Sequence, residues 1–331
     1  MPCGGMMFET DFTRLLGVQH PLVCAGMGAG TADGELAGRV SEAGALGVIG
    51  ASWLGPDEIG ELAHRAREIT SKPIGINLLL FGNEDLLPTV LKAKPAVLST
   101  AWAREDQDLS SIFAMAHESG AKVMHMVPTK SDAERAAEAG ADIIVAQGTE
   151  GGGHVGLMAA TVVVRQVVKA VAPVPVLAAG GFADGAGLAA ALALGAHGAL
   201  MGTRFLATHE CPIPQFFKDA IVASDGTDTL LSTVPDTLTG RDWPGAWARV
   251  ARTDFVEDWT GREPELRRRR AQVNEQLARA WELDQPDYWN FWWGQSAGLV
   301  ESVLPAGDLV REIMAEAENS VRELCARLVR L

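Results

Sequence analysis

The chain has 331 residues, of which 47% are hydrophobic, and a formal charge of −14. That length supports one large barrel or two modest domains around a sizeable core, and the charge argues against a nucleic-acid partner, which needs a concentrated basic surface. The one basic run, "LRRRRAQ" at 266–272, lies beside Glu263 and Glu265 and reads as a solvated helix face or an oligomer contact.

Taken from the N-terminus, the opening "MPCGGMMFETDF" lacks the basic-then-apolar order of a secretory leader. Nowhere does an uninterrupted apolar stretch reach the ~18 residues of a membrane span. Cys3, Cys24, Cys211 and Cys325 are far apart, with neither metal-site spacing nor disulfide density. A soluble cytoplasmic protein with reduced thiols, and neither membrane nor nucleic-acid partners, is the expectation.

Four segments repeat one local pattern: "SEAGALGVIGA" (41–51), "HESGAKVMHMV" (117–127), "AEAGADIIVAQG" (137–148) and "LALGAHGALMGT" (192–203). Each is a helix-like stretch, a Gly-Ala pair that closes it, and an apolar run that reads as a buried strand. Eight such runs occur, near residues 21, 45, 73, 96, 121, 141, 174 and 198, with amphipathic segments between them. The alternation predicts a (β/α)8 TIM barrel over 1–210, with a doubly wound open sheet as runner-up.

Beyond Thr203 the alternation stops. Residues 204–262 read as irregular, broken by Pro212, Pro214, Pro235 and Pro244, and helical stretches are expected near 263–283 and 306–330. This C-terminal part, 211–331, carries most of the tryptophans, including Trp289, Trp292 and Trp293 in "DYWNFWWGQSAGL". It reads as a helical subdomain over the barrel mouth; a homodimer interface explains the same composition.

In a barrel, functional groups belong where the C-terminal strand ends converge. The seventh and eighth predicted strands end in "AAGGFADG" (178–185) and "MGTRF" (201–205). Gly180, Gly181, Gly202 and Thr203 would there offer backbone N–H groups to a phosphate. After the first strand, "AGMGAGTADG" (25–34) departs from a dinucleotide fingerprint at Thr31, and no acidic residue ends the second strand, so a Rossmann site is excluded. Met27 is placed to touch a planar ring or to fill core. Asn77 and Gln147 end strands with side-chain amides suited to a heterocycle's edge, though such residues often serve turns.

The segment "AQGTEGGGHVG" (146–156) ends a strand in three glycines and then presents His154. A metal role is poor because no ligand partner stands at a recognisable spacing, so no metal is expected; a solvated loop histidine and a general base remain. His125, on the fifth predicted strand, could also face the mouth.

Three segments together, "AQGTEGGGHVG", "PVPVLAAGGFADGAGLAAALALGAHGALMGTRFLATHE" and "GQSAGL", resemble the nitronate monooxygenase family, once called 2-nitropropane dioxygenases, over roughly residues 8–325. The resemblance implies an FMN-dependent barrel in which Ala25, Gly26, Met27, Asn77, Gln147, Gly152, Gly181, Leu200, Met201, Gly202 and Thr203 contact FMN. His154 would be the catalytic base for a nitroalkane or would position a nitronate, and oxygen would complete oxidation to a carbonyl compound and nitrite. Gly26 departs from the family pattern, which usually has proline there. The same shell hosts NAD(P)H:quinone reductases and enoyl reductases; a non-catalytic flavin binder is a further reading.

Overall fold

The computed structural model describes residues 8–28, 30–283, 285, 288 and 291–328. Cys3 and Trp289 lie outside them. Eight parallel strands close into a barrel: β1 (Leu22–Cys24), β2 (Leu46–Gly50), β3 (Ile74–Leu79), β4 (Val97–Ala101), β5 (Lys122–Val127), β6 (Ile143–Gln147), β8 (Val176–Ala179) and β9 (Ala199–Met201). β9 returns to β1, with Leu22 opposite Ala199, so the runner-up open sheet is set aside. The interrupted number belongs to β7 (Gly153–Val155), which leaves the barrel after β6 and joins β10 (Thr229–Ser232) and β11 (Trp247–Ala251) in a separate antiparallel sheet, ordered β10-β11-β7.

Side chains alternate faces along each barrel strand. Val23, Val48, Val97, Met124, Val145 and Leu177 fill the interior, whereas Leu22, Ile49, Leu98, Val123 and Ile144 pack outward beneath the helices. Phe12, fully buried on the helix Asp11–Leu16, joins the interior cluster. The same parity brings Asn77 and Ser99 side by side in register, where the Asn77 amide donates to the Ser99 hydroxyl at 3.0 Å.

Two expectations about the C-terminal part change. Residues 204–262 are not irregular: they contain β10, β11 and the helices Gln215–Ala223, Val234–Thr239 and Asp254–Trp259. Their signal is hidden because the strands are short and pair with each other and with distant β7. With the helix Glu263–Glu282 they form a lobe around Val234, Val250, Phe255, Trp259, Leu266 and Val273. The helix Ala306–Leu328 does not cover the mouth. It packs between the helices Gly34–Glu42 and Gly185–Ala193, so closely that a side-chain carbon at Gly185 would lie 2.3 Å from the Ala317 nitrogen. That slot is the eighth helical position of the barrel, and residues 207–305 are therefore inserted within its last β/α unit.

Candidate active site

The C-terminal strand ends surround a cavity of about 480 Å³. Of the residues singled out in the sequence, Ala25, Gly26, Met27, Asn77, Gln147, Gly152, His154, Gly180, Gly181, Leu200, Gly202 and Thr203 line it. Met201 does not. One residue on from Leu200, its side chain takes the opposite face and is buried under the helices; only its carbonyl reaches the rim, accepting from the Ala25 N–H at 2.9 Å. His125 fails for the same reason: it faces outward, bonded through Nδ1 to the Thr100 hydroxyl at 2.7 Å and packed near Phe113. Burial lowers its pKa to about 3, keeping it neutral.

Between β8 and β9 the backbone N–H groups of Gly181, Gly202 and Thr203 have no protein acceptor among the described residues. Gly202 and Thr203 stand at the head of the short helix Thr203–Leu206. On the adjacent strand, Gln147 at the end of β6 is 7% exposed and its Oε1 has no hydrogen-bond partner among the described residues. A buried acceptor without a donor is costly unless something else supplies one. Gly26 explains its departure from the proline pattern sterically. A side-chain carbon there would lie 2.3 Å from Cβ of Asn77 and 2.9 Å from Cγ1 of Val48, so this loop runs closer to β3 than any larger residue permits.

His154 sits on β7, opposite Ala248 of β11. Its Nε2 lies 2.8 Å from Oδ1 of Asp236, a residue of the helix Val234–Thr239. A carboxylate accepts only, so Nε2 carries the proton and the neutral ring keeps its lone pair on Nδ1, which has no partner among the described residues. Burial holds the imidazole pKa below 6.5; the Asp236 carboxylate opposes that shift and the Arg241 charge adds to it. The ring is stacked on Trp243, centroids 3.2 Å apart, and tilted against Trp292 at 5.1 Å. Trp293 is core instead, packed on Phe217 and Phe291.

The lobe and the segment that follows it are fastened by hydrogen bonds to the loop that carries His154. Arg249 of β11 donates from Nε to the Thr149 carbonyl at 2.7 Å, and the Gln295 N–H donates to the Glu150 carbonyl at 2.9 Å. The Gly294 N–H donates to the Thr203 hydroxyl at 2.9 Å, linking the same segment to the rim between β8 and β9. Gly152 fits beneath this segment, where a side-chain carbon would be 2.5 Å from the Gly294 nitrogen.

The nitronate monooxygenase family model matches residues 9–88 and 82–316. The chain belongs to the nitronate monooxygenase family. It is therefore an enzyme, a flavin-dependent oxidoreductase, which removes the non-catalytic reading. Among solved structures it is similar to FabK from Thermotoga maritima, at 34% identity and a TM-score of 0.85, over 97% of this chain and 99% of that one. It is also similar to a nitroalkane oxidase from Streptomyces ansochromogenes, at 26% identity and a TM-score of 0.81, over 95% and 99%. A curated relative from Mycobacterium tuberculosis, 36% identical over 76% of this chain and 68% of its own length, is a (3aS,4S,5R,7aS)-5-hydroxy-7a-methyl-1-oxo-octahydro-1H-indene-4-carboxyl-CoA dehydrogenase.

This family member also has site residues that sequence reasoning missed: Asp236, Arg241 and Trp243 from the lobe, and Trp53 and Trp102 from the ends of β2 and β4. Both of the latter hold left-handed backbone, with φ of 64° and 55°, a strain typical of functional positions. Among the described residues no helix is long and apolar enough to cross a membrane, and no group of three or more His, Cys, Asp or Glu is gathered to hold a metal.

Proposed function

We propose that the protein is an FMN-dependent oxidoreductase that converts nitroalkanes and nitronates to carbonyl compounds and nitrite at the expense of molecular oxygen. One observation carries the reading: a buried His154, oriented by Asp236, in the wall of a cavity whose rim has backbone N–H groups with no acceptor among the described residues.

The residues present fit FMN. The free N–H groups of Gly181, Gly202 and Thr203 suit a phosphate, and the unpartnered Gln147 Oε1 suits a donor on the edge of a heterocycle. Met27 and Gly152 would border the ring, with Ala25, Gly26, Asn77, Gly180 and Leu200 completing the wall. Bound flavin supplies the electron transfer from substrate to oxygen.

His154 Nδ1 takes the proton from the carbon next to the nitro group, leaving the electron pair on the nitronate. Asp236 holds the tautomer that makes this possible and stabilises the imidazolium that results. Trp243 and Trp292 exclude water from the ring faces of His154.

The base works only when neutral, so its lowered pKa extends activity toward acid. For a neutral nitroalkane, kcat/KM should fall on acidification with an inflection below 6.5; an inflection above that value contradicts burial as the dominant influence. Buried Cys24 and Cys211, both free, support a cytoplasmic setting.

A second reading is favoured by the relatives: FabK and the CoA dehydrogenase are 34% and 36% identical, more than the nitroalkane oxidase at 26%. On that reading the substrate is an enoyl thioester and NAD(P)H the reductant. Anaerobic mixing decides between them. The expected result is rapid bleaching of the flavin by propionate 3-nitronate and none by NADH; the reverse pattern overturns the nitronate assignment.

A further inference from the structure

The indole of Trp243 fills a socket that opens into the cavity. One face stacks on His154 with planes 10° apart, and the ring sits edge-on to Phe81 at 4.5 Å, Trp53 at 6.1 Å and Trp102 at 6.2 Å. Leu79 and Met126 line both socket and cavity.

Only packing holds the indole there. Among the described residues, the side chains of Arg241, Asp242 and Trp243 make no hydrogen bond or ion pair, and the backbone of residues 242–245 makes no hydrogen bond. Arg241 is held by its guanidinium lying 3.8 Å from the centroid of the Trp53 ring. The segment is bracketed by Gly240 and Gly245, at φ 71° and 72°, left-handed conformations in which glycine allows the chain to pivot. The Gly240 and Arg241 N–H groups stay anchored on the Asp236 carbonyl at 2.7 and 3.3 Å, so the part free to swing is 242–245, which has no hydrogen bonds among the described residues and opens more readily than the sheet that follows it.

We propose that the strap 242–245 is displaced by substrate, and that the socket its indole occupies is the subsite for an aromatic or fused-ring group borne next to the acidic carbon. The inference rests on the reading of His154 given above and names the substrate class for that same site. The indole touches the base and three other aromatic rings at once, so a ring group of similar size and flatness would meet the same four partners. A small aliphatic group would leave most of the socket unfilled.

Calorimetric titration of the FMN-loaded enzyme with indole tests the subsite without any turnover. Wild type should bind indole, and Trp243→Ala should bind it about tenfold more tightly, because a site closed about nine-tenths of the time weakens apparent binding by that factor. Trp243→Phe, which keeps a ring and the fold, should fall between and decides the matter if the alanine variant does not fold. Indole bound by none of the three, or equally by wild type and the folded variants, overturns the proposal. In a steady-state assay, (2-nitroethyl)benzene should exceed nitroethane in kcat/KM by about tenfold or more, as apolar pocket filling gives; equal values also count against it. Indole binding in the predicted pattern, without nitroalkane turnover, would remove the reaction proposed above and leave the subsite standing.

Discussion

Replacing His154 with Ala should lower turnover of a neutral nitroalkane about 10² to 10⁴-fold, the usual contribution of a general base, while the purified protein stays yellow. Its Nδ1 is the basic atom left available once Asp236 has fixed the proton on Nε2. A preformed nitronate needs no deprotonation, so the variant should lose much less with that substrate, and the ratio of the two losses isolates proton removal from binding. Asp236→Asn should give an intermediate loss with the neutral substrate, since the amide can present its N–H to the ring and favour the wrong tautomer. Equal turnover by wild type and His154→Ala would take the residue out of the chemistry.

Gly202→Val should abolish stable FMN binding and leave the barrel folded. A side-chain carbon at Gly202 would meet no protein atom nearer than the Ala25 Cβ at 3.7 Å and the Met27 sulfur at 3.8 Å, and φ is −106°, open to any residue. The Cβ of valine therefore meets no close protein atom, and its methyl groups should crowd the approach of a phosphate to the Gly202 and Thr203 N–H groups. Losing even one or two charge-assisted hydrogen bonds, at about 1.5–3 kcal/mol each, weakens binding on the order of 100-fold. The checks are flavin content after gel filtration and the melting curve of the apoprotein, the latter unchanged. Gly180 is no substitute for this test, because a side-chain carbon there would lie 2.5 Å from the Gly148 carbonyl and damage the scaffold itself. Full FMN retention by Gly202→Val would place the phosphate elsewhere.

The barrel was legible because β2, β5, β6 and β9 are each announced locally by a helix-like stretch, a glycine and an apolar run, and the other four strands are apolar runs in the same alternation with amphipathic segments. The strand-end rule then picked residues that nearly all line the cavity, and it failed at Met201 and His125 where side-chain parity, not strand position, decides direction. The lobe was harder to read. Asp236 is 82 residues from His154, and no local spacing links them. Trp243 gave only a compositional hint, because an abundance of tryptophan says that rings are covered without saying which ring covers which. β10 and β11 are short and take their partners from each other and from β7, so neither carries a long periodic signal.

The position of the helix Ala306–Leu328 has a consequence for synthesis. During translation the first seven helices and all eight barrel strands leave the ribosome well before the piece that seals the gap between the helices Gly34–Glu42 and Gly185–Ala193. Until that last segment emerges, the outer apolar surface of β1 and β9 stays wet, and contacts of such long sequence separation form slowly. A nonsense codon between residues 306 and 313, which removes the buried face of this helix, should thus yield an aggregating product, although every residue of the cavity wall has already been made.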